Sequence, residues 1–417
     1  MQLNTTFECA SQLDANDTLS HFRNQFHIPK TAGKEVAYFC GNSLGLQPKN
    51  TANYILQELN DWQQHGVEGH FRAKNPWVSY HEILTEKAAR IVGAMPQEVV
   101  MMNQLTANIH FMFVSFYRPT TTKYKIITEA KAFPSDQYAV ESQVKFHGFK
   151  PDDAIIEIQP DEGTNYISNQ KIIDTIEKHK HEVALVFIGG VNYYTGQVFD
   201  MKSIAESCNK NNIVCGFDLA HAVGNIKLNL HDWNVDFAVW CTYKYLNSGP
   251  GSVGGVFVHN KHANNFDLPR LTGWWGHDKT SRFKMDKTFV PIAGAEGWQL
   301  SNAPILSMAA HNAALSVFDE AGIDNLVEKS KKLHAYLRFL MKEVSAKNNL
   351  EIITPEKENE HGCQLSMFAK KEGRKLFDKL TASGVITDWR EPDVIRVAAV
   401  PLYNSYDDIY RLYEVLK

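Results

Sequence analysis

Two reactive side chains stand at the ends of apolar runs. Ile213–Asp218 climbs through Gly216-Phe217 to an aspartate and passes into Leu219-Ala220-His221, and Phe237–Trp240 leads through Cys241-Thr242-Tyr243 to Lys244. Each run reads as a strand buried on both faces of a parallel sheet, with its reactive group delivered at the C-terminal end. An acid and an amine brought to one sheet edge fit one chemistry above others. The lysine holds pyridoxal phosphate as a Schiff base, and the aspartate keeps the ring nitrogen protonated so that the ring accepts electrons. Such a cofactor also needs backbone N–H groups for its phosphate, often at a helix N-terminus, and an arginine fork for a substrate carboxylate. The chain offers Thr106 and Arg396 for those two tasks. Singly each residue is weak evidence: a lysine at a strand end is usually structural or solvated, and Arg396 alone reads as a surface ion pair.

For these groups to meet, the elements around them must build one sheet. Apolar runs at Glu98–Asn103, Tyr124–Thr128, Ala154–Ile158, Val183–Ile188, Ile213–Asp218, Phe237–Trp240 and Gly254–His259 read as strands. Between them Ile109–Tyr117, Gln137–Phe146, Asn169–Lys178 and Met201–Asn211 read as helices. The alternation predicts an α/β fold, a mostly parallel seven-stranded sheet covered by helices, with ligands at the carboxyl ends of the strands. Thr106, Asp136, Asp218 and Lys244 all fall at that edge. Thr106 is placed as an N-cap, as part of an anion site, or as both. Ser135 or Asp136 is placed to cap the following helix, and Phe133 to stack on a flat ring. Gly249-Pro250-Gly251-Ser252-Val253-Gly254 matches a dinucleotide-binding glycine pattern literally, but it precedes a strand; it reads as a loop passing behind Lys244.

Outside the sheet, Asp17–Phe26 reads as a short helix, and Gly41–Leu46 as a tight turn offering Ser43 and backbone N–H groups to a carboxylate. Gly66–Pro76 reads as a polar loop carrying His70. The adjacent Trp274 and Trp275 cannot both face one core, so at least one belongs at a ligand or subunit interface. After residue 300 the pattern changes to long helices and short strands, a smaller α+β domain. The expected division is an N-terminal segment 1–45, a large domain 46–300 and a small domain 301–417.

Composition narrows the field. The 417 residues are 44% hydrophobic and 22% charged, with a formal net charge of −4. That balance gives no reason to expect nucleic acid as partner, and no apolar run is long enough to span a bilayer. Met1–Asp17 is polar and lacks a signal-peptide core. Six cysteines without paired spacing read as reduced thiols, which points to a cytoplasmic protein. His179-Lys180-His181 has no partner at metal-ligand spacing, so no metal is expected.

Seven stretches together resemble kynureninase. They are Gly41-Asn42-Ser43-Leu44-Gly45, Phe133-Pro134-Ser135-Asp136, Tyr194-Thr195-Gly196, Phe217 to Gly224, Tyr243-Lys244-Tyr245-Leu246-Asn247, Ser301-Asn302 and Val394-Ile395-Arg396-Val397. The likeness runs from about Tyr38 to near the C-terminus. It implies a pyridoxal-phosphate enzyme of fold type I in the aminotransferase class V group, a homodimer with sites at the subunit interface. It also implies hydrolysis of L-kynurenine or its 3-hydroxy form to an anthranilate and L-alanine, in tryptophan degradation and NAD biosynthesis.

By matching motif, the resemblance makes Lys244 the Schiff-base lysine and Asp218 the pyridinium partner, with His221 beside it. Leu105, Thr106, Tyr243, Trp274 and Asn302 fall at cofactor positions, largely around the phosphate, and Phe133 and Asp136 bracket the ring. Arg396 matches the arginine for the substrate carboxylate, while Ser43, His70, Trp275 and Asn302 shape the aryl end of the pocket. Tyr243 stands as a general acid/base, a phosphate ligand, or both. Two rivals share the fold: a cysteine desulfurase with Cys363 as sulfur carrier, and a catalytically silent binding protein. Against the first, Cys363 opens an alternating strand rather than a mobile loop, His221 stands where desulfurases typically carry Gln, and Tyr243 where they carry His. The intact Lys244, Asp218 and Arg396 argue against the second.

Overall fold

The structure, a computed structural model, describes residues 3–417. The strands of the large sheet are β1 (Val99–Met101), β2 (Lys125–Glu129), β3 (Ile155–Ile158), β4 (Val183–Gly189), β5 (Val214–Asp218), β6 (Phe237–Trp240) and β7 (Gly255–Val258). They lie in the order β1-β7-β6-β5-β4-β2-β3. The five strands from β2 to β6 run parallel to one another, and β7 is antiparallel to both β6 and β1. This is the mostly parallel, helix-covered sheet of seven strands that the alternation predicts. The continuous apolar runs follow from burial on both sides: alternate residues of one strand enter two different cores. Val186, Ile188, Cys215, Phe217 and Ala238 belong to one, with the helices Glu82–Val92 and Met201–Lys210. Leu185, Phe187, Phe237 and Val239 belong to the other, with the helices Leu105–Phe116 and Pro134–Phe146.

The smaller body is an antiparallel sheet of β8 (Leu350–Ile352), β9 (Gln364–Ala369), β10 (Asp388–Arg390) and β11 (Val394–Ala398), in the order β8-β9-β11-β10. The helices Ile323–Ser345 and Tyr406–Leu416 supply Leu333, Leu337, Leu340, Ile409 and Leu412 to its core. The cores do not stop at the residues where the chain's pattern changes. Cys9, Ala10, Ala37 and Phe39 from the N-terminal stretch are part of the small core, and Ala37–Tyr38 pairs in parallel with Val385–Ile386. The helix Ile305–Ala321 lies against Thr51–His65 and Glu82–Val92 and sends Met308, Leu315 and Phe318 into the large core.

Local expectations differ from the structure at the N-terminus. Asp17–Phe26 is only a 3-10 turn over Ser20–Gln25. The regular helix lies earlier, at Phe7–Ala15, where Thr6 caps the Cys9 N–H at 3.3 Å. The cap signal was in the sequence, but its apolar face is narrow and is paid for only by packing on the far end of the chain. The expected loop Gly66–Pro76 contains two short helical turns, Gly66–Glu68 and Gly69–Arg72.

One buried carboxylate ties the two chain ends. Asp408 is 1% exposed, receives Arg23 Nη1 at 2.7 Å and the Asn404 amide at 3.1 Å, and caps its own helix start. Asp14 adds two acceptors for the backbone N–H groups of Tyr406 and Asp407. Removing Asp408 strands a partly buried arginine and takes away the acceptor of the Ser405 N–H at the helix start, so Asp408→Ala is expected to cost about 2–4 kcal/mol. A urea midpoint equal to that of the parent protein, followed by far-UV circular dichroism, would show that this clasp contributes nothing.

Candidate active site

Lys244 lies beyond β6 in a turn held at every step. Thr242 Oγ1 donates to the Val253 carbonyl at 2.6 Å, and the Ser248 N–H closes on the Thr242 carbonyl at 3.1 Å. The Asn247 N–H reaches the Lys244 carbonyl at 3.0 Å, with Asn247 itself at φ +57°. From the other side, the Gly45 N–H donates to the Tyr243 carbonyl at 2.8 Å. A Cβ on Gly45 would lie 2.3 Å from the Lys244 carbonyl oxygen, so only glycine lets the Gly41–Leu46 turn come this close. Ser43 is half-buried in that turn, its N–H on the Cys40 carbonyl at 2.8 Å.

A cavity of about 430 Å³ opens at the carboxyl ends of β2, β4, β5 and β6, a volume typical of small-ligand sites. Leu105, Thr106, Phe133, Asp136, Asp218, His221, Tyr243 and Lys244 all line it. Sheet pairing explains why the acid and the lysine meet: Asp218 lies opposite Val239 across the β5–β6 ladder. Lys244 Nζ stands 5.7 Å from the centre of the Phe133 ring, which packs edge-on against Tyr193.

Two expected caps are not caps. The helix Leu105–Phe116 is entered from Gln104 with no side-chain cap, and Thr106 is its second residue. Its first-turn N–H groups therefore lack a side-chain partner beside the cavity, which favours the anion-site reading. The helix Pro134–Phe146 begins at Phe133, with proline in the first turn and no side-chain cap from Ser135 or Asp136. Asp136 is turned inward instead, 5% exposed, with Oδ1 unpartnered.

The electrostatics follow from burying acids together. Desolvation pushes the Asp136 carboxyl well above its ordinary range, and the neighbouring Asp218 pushes it further. Asp218 is also raised by burial, but Asp136, Lys244 and the Ala220 N–H at 2.7 Å hold it down. The shared proton accordingly sits on Asp136 and the negative charge on Asp218. Burial, with Lys244, Arg396 and Arg390 nearby, drives His221 well below its usual value, so its ring is neutral. Desolvation raises Tyr243, beside Cys241, and keeps its hydroxyl protonated. A lysine, an anionic aspartate, a half-buried aromatic face and the start of a helix form a donor set that fits pyridoxal phosphate. The unpartnered Asp136 Oδ1 and His221 Nδ1 are polar atoms such a group would satisfy.

Several expected residues lie elsewhere. Arg396, on β11, is fully buried rather than a surface ion pair. Its Nη1 donates to the Tyr193 carbonyl at 2.6 Å and its Nε to Asp388 Oδ1 at 3.0 Å. It stands behind Tyr193, whose side of the cavity it backs. Trp275 is buried under the Arg282 guanidinium at 4.4 Å, while Trp274 is 44% exposed and Asn302 is exposed. His70 packs edge-on to Trp77 with Nδ1 2.9 Å from the Val67 carbonyl. None of Trp274, Trp275, Asn302, Ser43 or His70 lines the cavity of its own chain. The sequence reading passed over Glu129, which does line it. It closes β2 at the same sheet edge as Asp218, and the strand-end rule that found Asp218 would have found it.

The chain is 55% identical to a kynureninase of Flavobacterium psychrophilum across 100% of its own length and 99% of the relative's. It is 53% identical to a kynureninase of Myxococcus xanthus, covering 98% and 96%. The chain belongs to the kynureninase family. The family profile described as Kynureninase C-terminal domain matches residues 326–416. Among solved structures, a C-DES mutant with glycine covalently linked to its PLP cofactor superposes with a TM-score of 0.79 at 16% identity, covering 94% of this chain and 98% of that one. The cysteine desulfurase CsdA of Escherichia coli gives 0.77 at 14%, covering 95% and 97%. These last two likenesses carry the fold alone, and within the family the desulfurase alternative is not favoured. Cys363, its supposed sulfur carrier, is 1% exposed, its N–H is bound to Asn225 at 3.0 Å, and burial pushes its thiol up to about 12.

The contact between Gly45 and the lysine turn gives a direct check. Gly45→Ala must shift the Lys244 backbone, and strain of about 1–3 kcal/mol weakens pyridoxal-phosphate affinity roughly fivefold to a hundredfold. Spectroscopic titration of the purified protein with the cofactor measures this; unchanged affinity would mean the turn has slack.

Proposed function

We propose that this protein hydrolyses L-kynurenine, or 3-hydroxy-L-kynurenine, to the corresponding anthranilate and L-alanine, with pyridoxal phosphate bound in the cavity around Lys244. The observation that carries the reading is the full-length 55% identity to a kynureninase. When bound, the cofactor supplies an electron sink for carbanions formed next to the substrate's amine. Lys244 anchors it and, once released, moves the proton at the substrate's α-carbon. Asp218 holds a proton on the ring nitrogen, and the first turn of Leu105–Phe116 receives the phosphate. Tyr243, whose hydroxyl stays protonated, donates to the phosphate or to the oxyanion formed when water adds to the γ-carbonyl. Arg396 takes the substrate carboxylate, with Asp388 and the Tyr193 carbonyl fixing its fork. The family resemblance assigns Ser43, His70, Trp275 and Asn302 to the aryl end, which none of them reaches from its own chain.

We place the protein as a cytoplasmic homodimer in tryptophan degradation and NAD biosynthesis. Among the described residues no helix is long and apolar enough to cross a membrane. An exposed aromatic surface supports the dimer: Phe71, Trp274, Phe283 and Met285 are 60%, 44%, 55% and 74% exposed, with Phe283 within 6.3 Å of Phe71 and 5.5 Å of Trp274. A patch of this kind marks an interface. Trp274 and Asn302, which do not reach their own chain's cavity, then complete the partner's.

Two experiments test these readings. Anthranilate fluorescence from kynurenine, set against sulfide release from cysteine, identifies the reaction; Lys244→Ala is expected to abolish both the visible cofactor band and turnover. Sulfide without anthranilate sinks the assignment. For the shared site, Lys244→Ala and Asn302→Ala chains are mixed and allowed to exchange. One site of each mixed dimer then has both residues intact, so activity should rise above either parent. No gain on mixing, with exchange confirmed by mass, would place Asn302 in its own chain's site.

A further inference from the structure

Glu129 has no part in the chemistry above, yet it is 4% exposed and lines the same cavity as Asp136, Asp218 and Lys244. Both of its oxygens face the Gly189 N–H at 3.2 Å, and Thr128 Oγ1 adds a long contact at 3.5 Å. Gly189 lies opposite Asp218 in the β4–β5 ladder, and the next amide, Gly190 N–H, donates to the Asp218 carbonyl at 2.7 Å. Glu129 thus grips the strand end that supports Asp218. The approach is close by construction: a Cβ on Gly189 would lie 3.0 Å from Glu129 Oε1, and one on Gly190 2.7 Å from Leu219 Cδ2. These approaches account for the two adjacent glycines, Gly189 and Gly190.

We propose that Glu129 is a positioning residue for the pyridine end of the cofactor: it locks the Gly189-Gly190 backbone beside Asp218 and contributes a negative charge to the pocket floor. The inference rests on the pyridoxal-phosphate reading of the cavity. The groups facing Glu129 are Asp218 from β5, Asp136 from the helix after Phe133, Tyr193 from the following loop, and Lys244 and His221 across the cavity. Among them His221 is neutral, held there by its burial. Burial pushes the Glu129 carboxyl up to about 7, with Asp218 adding to the rise, so in the cofactor's absence it is half-ionised near neutral pH. A protonated ring nitrogen brought into the same pocket draws it to the charged form. The linkage is reciprocal: charged Glu129 then favours protonation of the ring and of the nitrogen that joins the cofactor to Lys244.

The test is a pH titration of the holoenzyme's visible band, with cofactor affinity measured alongside. Glu129→Gln keeps an acceptor for the Gly189 N–H but removes the charge. The midpoint of the band is expected to fall by roughly one pH unit, and the cofactor to bind several-fold more weakly. A midpoint and affinity equal to the parent's would overturn the proposal, since a merely structural glutamate is replaced by glutamine without either change. If the Gln chain does not fold, Glu129→Asp decides: it draws the charge back from Gly189, so the midpoint must still move, and an unmoved one overturns the proposal. A parent protein that develops no visible band with pyridoxal phosphate fails at the earlier step and removes the reading itself.

Discussion

Three carboxyl groups and one lysine are buried at the same sheet edge, and most of the architecture serves to keep them there. A charge taken out of water is costly unless it is paired or neutralised. The pocket uses both routes. Asp136 keeps a proton, Asp218 carries the charge opposite Lys244, and His221 gives up its proton to the dry surroundings. Such an arrangement survives only on a rigid frame, and the parallel strands provide one: β4, β5 and β6 are in register where Gly189, Asp218 and Val239 come side by side.

The lysine needs more than a strand. It sits four residues past β6, where the backbone would be free to wander, and it is fixed from both the Val253 side and the Gly41–Leu46 turn. That turn is also bound to the small body: the Asn42 amide reaches Gln364 at 2.9 Å, and Gln364 in turn donates to the Tyr193 carbonyl that Arg396 also grips. The cavity wall, the lysine turn and the small sheet are therefore joined by one set of hydrogen bonds. Arg396 stands within it, its guanidinium held by Asp388 of the small sheet and by the Tyr193 carbonyl at the cavity wall. Buried networks of this type are unforgiving of partial satisfaction.

Much of this was legible in the chain. The strands were found because burial on both faces leaves uninterrupted apolar runs, and the site because strand ends of a parallel sheet are where ligands bind. Pairing Asp218 with Lys244 needed only that rule. Where one-dimensional reading failed, the competing signals were local. Thr106 and Asp136 look like caps because Thr and Asp at a helix start usually are, yet Gln104 and Phe133 begin the helices and leave both residues at the cavity. Glu129 was missed because an acid at the end of a strand is commonly solvated, and nothing in the adjacent residues says that Gly189 is packed on it.

The sequence by itself determined the order of strands and helices, the acid and the amine at one edge, and membership in a family through motifs spread over the chain. Those depend on residue type and short spacing, which the chain carries along its length. The tertiary structure alone decided which acid holds the proton and that Arg396 is buried against Asp388. It also decided that the helix Ile305–Ala321 joins the large core while Phe39 joins the small one, and that Trp274 and Asn302 turn away from their own cavity. The physical reason is common to all four. Protonation, burial and facing depend on distances between residues far apart in the chain, and those distances exist only once the two bodies have packed.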